Sequence, residues 1–444
     1  MLILVRREMA KLGAAAAAAS FLPPWCRTRA AIPTAPAEPP RLPIEKGAVL
    51  RVLRPSRFVE PDEILWRYNT EMFEQQTGVS VRVDFVGWED LRPQAAVSAK
   101  TGAGADVVVG WPDDPHLYSD KLLSISDVAE YLGQKYGGWM FLAEKYGKKW
   151  GTNDWISLPM GSAGGPIVYR QSWIREAGFD RVPDDLDEFL TLCRRLKASG
   201  HPAGFALGNA VGDANGFCSW LLWAHGGYMV EENGQVAINR RETIEALKYV
   251  RELYPTLIEG VSSWQDPSNN KAYLAGQISM TMNAVSIYFG LRKNPATQAQ
   301  ADDTNHQRVP KGPVGVSGHS GLVLNALVFN HVRFPNAAKR YLLFMMEQEQ
   351  YEPWLAGSMG YWAHSLRAYG ESGVWKTDPK ILAYKDFCDN RFWSGFKGPI
   401  NAASGAVAAD YVNVQMFSAV ATGQATPAEA AKEAERRARR YYRR

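Results

Sequence analysis

From residue 47 to residue 110 the chain alternates short β-branched runs with longer stretches whose apolar residues recur every three or four positions. Residues 49–53, 79–85 and 106–110 read as strands. Between them, residues 63–77 put Ile64, Leu65, Tyr68, Met72 and Phe73 on one helical face, Gly78 ends that helix, and residues 91–99 form the next. Such alternation predicts a mainly parallel sheet covered by helices. Ligands of such sheets bind beyond the carboxyl ends of the strands, here at loops 55–61, 87–90 and 111–116.

A second α/β set follows. Residues 167–169 form a strand, residues 184–199 a helix with acidic residues in its first turn and Gly200 past its end, residues 205–207 a strand and residues 242–253 a helix. Residues 278–283 and 322–328 are later strands. Thr426-Pro427-Ala428-Glu429 is a capping box with proline at the first helical position, and it opens a helix running towards Arg440.

A chain of 444 residues exceeds the usual size of one hydrophobic core, so two domains are expected. With 46% hydrophobic and 22% charged residues it has the composition of a globular protein. A net charge of +4 makes no case for nucleic acid. Much of the excess sits at the ends, where Arg436, Arg437, Arg439, Arg440, Arg443 and Arg444 suit the C-terminal dipole of a solvated helix.

The N-terminus carries Arg6-Arg7 before an alanine-rich apolar run over residues 12–22. That run is shorter than the roughly 20 residues that span a bilayer. It resembles a twin-arginine signal peptide over residues 1–31, cleaved near Ala30-Ala31. Residues 32–46 read as a flexible or extended Pro/Ala-rich tether. The environment of Cys26 is a poor lipoprotein box. The expectation is a mature chain that is periplasmic or otherwise extracytoplasmic. Cys26, Cys193, Cys218 and Cys388 show neither C-x-x-C nor zinc spacing, so no metal and no cofactor are expected.

Among 15 tryptophans, Trp88, Trp111, Trp264, Trp362 and Trp393 lie beside Gly, Pro, Asp or Asn in loop-like sequence. Indole faces pack against the C–H faces of sugar rings while carboxylates and amides bond the hydroxyls. Trp139, Trp150 and Trp173 accompany helical apolar residues and read as core.

Several spaced segments carry a family resemblance. They are Phe73-Glu74-Gln75-Gln76-Thr77-Gly78-Val79 with Val81, Gly104-Ala105-Asp106-Val107-Val108-Val109, Trp220 to Tyr228 with Glu232-Asn233-Gly234, Ala275-Gly276-Gln277-Ile278-Ser279-Met280, and Ala421-Thr422-Gly423-Gln424-Ala425-Thr426. In number, order and spacing they resemble the family 1 extracellular solute-binding proteins of bacterial ABC transporters, the class that includes maltodextrin-binding protein. The resemblance covers nearly all of residues 47–440.

It implies an α/β, two-lobe periplasmic-binding-protein fold of type II, each lobe a mainly parallel sheet flanked by helices, with hinge closure on a solute between them. Residues 47–160 and 308–352 would form lobe 1, and residues 164–305 and 353–444 lobe 2. The crossings fall at residues 161–165, where Gly161, Gly164 and Gly165 support a hinge independently, and near 305–312. Carried over one at a time, the cleft positions are Trp111, Asp113 and Asp114 after the third strand, Ser162 at the crossing, Asp213 and Asn215 on another loop, then Asn283, Tyr361, Trp362 and Asp410. Maltodextrin binders carry a basic residue where Asp114 stands, a carboxylate where Ser162 and Ala163 stand, and stacking tryptophans near Val285 and Asp410. These departures speak against maltodextrin itself. Loop positions add Arg57, Trp88 and His319.

The implied function is capture of a sugar or oligosaccharide for an ABC permease by a monomer, without catalysis and without nucleic acid. Two alternatives stand beside it. One is the same fold binding a phosphodiester, polyamine or metal, where the anion version would draw its cations from Arg54 and Arg57 on the first loop. The other is a secreted glycoside hydrolase using two carboxylates, for which no accompanying nucleophile elbow, triad or metal cluster is present in the sequence.

Overall fold

The computed structural model describes residues 32–319 and 321–443. The leader read at residues 1–31 lies outside them. The first half-domain follows the expected order: β1 (Val49–Pro55), α1 (Glu60–Thr77), β2 (Ser80–Val86), α2 (Trp88–Thr101) and β3 (Val107–Gly110). Gly78 stops α1 in the left-handed region at φ 73°, its N–H donating to the Glu74 carbonyl, a geometry glycine adopts without strain.

After β4 (Leu158–Ala163) and β5 (Ile167–Arg170) come α3 (Leu186–Ala198), α4 (Asp213–Ala224) and α5 (Arg241–Leu253). Asp185 caps α3 by accepting from the N–H groups of Asp187 and Glu188. Phe189, Leu192, Cys193 and Leu196 form its fully buried stripe. The chain continues through β6 (Met280–Met282), β7 (Thr304–Gln307), β8 (Leu322–Val328), α6 (Gln348–Gly357), α7 (Ala402–Ala409), α8 (Val412–Ala421) and α9 (Pro427–Tyr442). The capping box at Thr426 and Glu429 is formed as expected.

These strands make two sheets, one ordered β2-β1-β3-β8-β4 and the other β6-β5-β7. Strand direction departs from the mainly parallel expectation. β1 runs parallel to β2 and β3, but β8 is antiparallel to both β3 and β4, and β5 is antiparallel to both β6 and β7. Alternation fixes parallel pairing only when one helix crosses between neighbouring strands. Here β5 and β6 are separated by several helices, and β3 meets β8, far along the chain. The strand expected at residues 205–207 joins neither sheet, although Gly204 N–H reaches the Met280 carbonyl at 2.9 Å.

The chain passes between the two sheets at three places. The first is 164–166, between β4 and β5. The second follows residue 316, later than the expected 305–312, because Pro310 and Lys311 are still bonded to Trp220 and Asp184 on the second-sheet side. The third is 394–396, where Ser394 bonds Tyr146 and Phe396 accepts from Met229 N–H. The boundary read near residue 353 falls inside α6, whose Tyr351 and Trp354 bond Met160 and Asp62 on the first-sheet side. Residues 32–46 are extended and docked. Ile32 and Leu42 are buried, Ala35 N–H donates to Lys135 O, and the Glu45 carboxylate accepts from Asn336 and Ala337 N–H at 2.8 and 3.0 Å.

Arg54 ties β1 to α1 and α6. It is fully buried, contacts both Asp62 carboxylate oxygens at 2.8 Å, and lies 4.3 Å from the Trp66 ring centre, while Trp354 Nε1 donates to Asp62 at 2.8 Å. Removing one member of a buried ion pair strands the other. Asp62→Ala is therefore expected to lower unfolding stability by about 3–5 kcal/mol, measured by urea denaturation, whereas Arg57→Ala at the exposed neighbouring pair changes it by under about 1 kcal/mol.

Candidate functional site

The loop after β3 carries Trp111-Pro112-Asp113-Asp114 to the carboxyl edge of the first sheet, where Asn325 Nδ2 on β8 donates to Pro112 O at 3.1 Å. Across the gap the N-terminus of α4 presents Gly212, Asp213 and Asn215. The passages at 164–166 and 394–396 close the sides. These elements enclose a cavity of about 110 Å³, walled by Trp111, Asp113, Asp213, Asn215, Trp223 and Phe396 among others. That is space for on the order of ten waters.

Asp114 is fully buried and held by Arg92 Nε at 2.6 Å, so the carboxylate has its counter-charge from α2. Asp113 is buried beside it. Its Oδ2 accepts from Ser394 Oγ at 3.2 Å, while its Oδ1 has no partner among the described residues. Burial pushes the Asp113 carboxyl up to about 6, with Arg92 pulling against the shift. Trp111 Nε1 and Asn413 Oδ1 are likewise buried and unpartnered. The cavity thus brings together an indole N–H, a carboxylate oxygen and an amide oxygen whose hydrogen bonds are unmade, the pattern of a site shaped for a polar guest.

Opposite, Asp266 caps the tip of α4, accepting from the N–H groups of Val211, Gly212 and Asp213 at 2.9, 3.0 and 2.9 Å. Asn269 Nδ2 donates to Asp213 at 2.6 Å. Burial raises Asp266 to about 6. Burial, and then the charge of Asp266, drive Asp213 well above its ordinary range. Next to the main cavity lies a side chamber of about 40 Å³, walled by Phe58, Trp88, Trp111, Tyr361, Asp213 and Asp266 among others.

Of the residues named from sequence, Trp111, Asp113, Asp213 and Asn215 line the main cavity. Trp88, Asn283 and Tyr361 line the side chamber, and Asp114 stands behind the wall on Arg92. Five others lie elsewhere. Arg57 is exposed and paired with Glu63 at 2.7 Å. Ser162 is fully buried in β4, its backbone bridged to Ala363, so that Ala163 forms the wall instead. His319 stacks on Phe387 at 4.1 Å in a separate groove behind the 164–166 passage. Trp362 is fully buried, 6.1 Å from Trp88, as core rather than a cleft face. Asp410 is exposed and bonded by Tyr441. Arg92, Trp223, Asp266, Ser394 and Asn413 were not anticipated. A signal existed only for Arg92, because a buried Asp114 requires a cation.

The fold and cleft define a two-lobe binding protein. A comparison with curated proteins finds no match. The family described as bacterial extracellular solute-binding protein matches residues 70–383, and the chain belongs to that family. Among solved structures, it is similar to a sugar transporter protein from Arthrobacter chlorophenolicus with bound laminaribiose, at TM-score 0.75 and 15% identity over 89% of this chain and 99% of that one. It also resembles the GacH receptor of Streptomyces glaucescens, solved unliganded and with acarbose, at TM-score 0.74 and 17% identity over 90% and 99%. A solute-binding protein from Agrobacterium vitis with bound D-mannitol matches at TM-score 0.71 and 17% identity over 89% and 99%. The chain is a solute-binding protein of two-lobe α/β fold.

Two groups set opposite pH dependences. Burial pushes His116 down to about 4 and His306 and His364 down to about 3. Only the unfolded chain takes up these protons below about pH 6.5, so stability falls with acid. Asp113 acts in reverse. Its folded value exceeds the unfolded one of about 3.9, so the native state keeps a proton that the unfolded chain releases between these values, and the cost to stability grows from about pH 3.9 and is complete above about 6. Thermal unfolding between pH 5 and 8 should show the melting temperature of His364→Gln gaining on wild type as pH falls below about 6.5, because the variant lacks one of these groups. The advantage of Asp113→Asn over wild type should be largest at pH 8 and shrink below pH 6.

Proposed function

We propose that this protein captures a sugar or polyol in the cavity between its sheets and hands it unchanged to an ABC permease outside the cytoplasmic membrane, acting as a monomer. The observation that carries this reading is the cavity itself. An indole wall stands beside the unmade hydrogen bonds of Asp113, Trp111 and Asn413, which matches the mixed apolar and polar surface of a carbohydrate. Laminaribiose, acarbose and D-mannitol in the similar structures support the same class of guest. Anionic solutes fit poorly, because Arg54 is committed to Asp62, Arg57 to Glu63 and the cavity-lining Arg92 to Asp114, while Asp113 and Asp213 face the cavity.

A thermal-shift screen of mono- and disaccharides and polyols should find at least one that raises the melting temperature, as binding to the native state requires. With that solute, Asp113→Ala is expected to weaken calorimetric affinity about ten- to a hundredfold, the worth of a charge-assisted hydrogen bond at roughly 1.5–3 kcal/mol. Mass spectrometry after prolonged incubation should recover the solute intact. Multiple-turnover conversion, or undiminished affinity in the variant, would refute the reading.

Export follows from the paired arginines. Replacing Arg6 and Arg7 together by Lys should leave the precursor in the cytoplasm, as judged by cell fractionation. Normal delivery of that variant would exclude the twin-arginine route. Among the described residues no helix is long and apolar enough to cross a membrane.

A further inference from the structure

The side chamber differs from the main cavity in size and in charge. At about 40 Å³ it admits about three water-sized groups, enough for one substituent and too little for a sugar ring. Four aromatic rings wall it. Phe58 lies 5.8 Å from Trp88 and 6.4 Å from Tyr361, and Trp88 lies 4.8 Å from Trp111. Its charged members are Asp213 and Asp266. In the wall of the main cavity Asp113 has beside it the guanidinium of Arg92, which pairs with Asp114 behind the wall. Among the described residues no cation pairs with Asp213 or Asp266, whose contacts are backbone N–H groups and the Asn269 amide. Trp111 lines both spaces, and its buried, unpartnered Nε1–H, being a donor, suits a hydroxyl oxygen of the guest and not its ammonium. Aromatic faces and carboxylates together select a cation that fits among them. A neutral hydroxymethyl group would fill the space and leave the half-buried Asp213 carboxylate with the Asn269 amide as its donor.

We propose that the solute carries a basic nitrogen, and that its ammonium enters this chamber between Asp213 and the aromatic walls while the polyhydroxylated remainder occupies the main cavity. This rests on the carbohydrate reading above and narrows it to amino sugars and aminated polyols. Asp213 is the group that meets the ammonium, since Asp266 already accepts from three backbone N–H groups.

Matched pairs test this by calorimetry at pH 7: D-glucosamine with D-glucose, D-galactosamine with D-galactose, and the chitosan disaccharide with cellobiose, with ethanolamine as an amine lacking a sugar. The expected result is at least a tenfold preference for the amine in a pair that binds. In Asp213→Asn that preference should fall to about one. Asp266→Asn, which keeps an acceptor for the α4 tip, should reduce the preference in the same direction if Asp213→Asn does not fold. Neutral sugars bound as tightly as their amines would overturn this proposal and leave the carbohydrate reading standing. Ethanolamine bound while every sugar is refused would overturn the carbohydrate reading and, with it, the amino-sugar assignment. Binding of none of the seven would overturn this proposal, with the carbohydrate reading then decided by the wider thermal-shift screen.

Discussion

A carboxylate removed from water must be met by a cation, by several N–H donors, or by a proton. The region between the two sheets is organised around that requirement. Asp114 is met by Arg92, which ties α2 to the loop after β3. Asp266 is met by three consecutive backbone N–H groups, which fixes the tip of α4 at the rim of the second sheet. Asp113 and Asp213 are met only in part, and these two face the cavity. Structural carboxylates are saturated, whereas the cavity-facing ones retain capacity for a guest.

The same requirement explains why the cavity is assembled from distant stretches of chain. Its walls include the loop after β3, the start of α4, the passage at 164–166, the passage at 394–396 and the stretch from Ser404 to Asn413. Two of these are connections between the lobes. Gly165, at φ +75°, lies so close to the Phe387 ring that a side chain there would collide with it, so the backbone itself forms the wall. In this arrangement a change in the angle between the sheets is also a change in the shape of the binding surface. That couples occupancy to conformation.

Local signals in the sequence were reliable where a single element settles its own fate. The face of α1, the acidic first turn of α3, the glycine after α1 and the capping box of α9 each depend on residues a few positions apart. Asp113, Trp111 and Asp213 were legible for a similar reason: they sit on loops at the end of a strand or the start of a helix. What the sequence concealed depends on pairing across long separations. Antiparallel β8 beside β3, Ser394 beside Asp113 and Asp266 beneath α4 leave no periodicity. Trp362 and Trp88 show the limit of composition, since glycine-rich surroundings mark a turn but do not tell whether an indole faces solvent, a ligand or another indole.

The order of strands in the first sheet has a consequence for synthesis on the ribosome. β3 and β4 do not pair with each other. Both pair with β8, which ends at Val328. The sheet begun at Val49 therefore stays incomplete until Val328 has been made. The strands of the second sheet are all made by residue 307, yet its core takes Val412, Phe417, Ala431 and Ala438 from the last helices. The first core likewise takes Trp393 and Ile400. Both cores thus wait on contacts far apart in sequence, with a long interval in which apolar strands are unpaired.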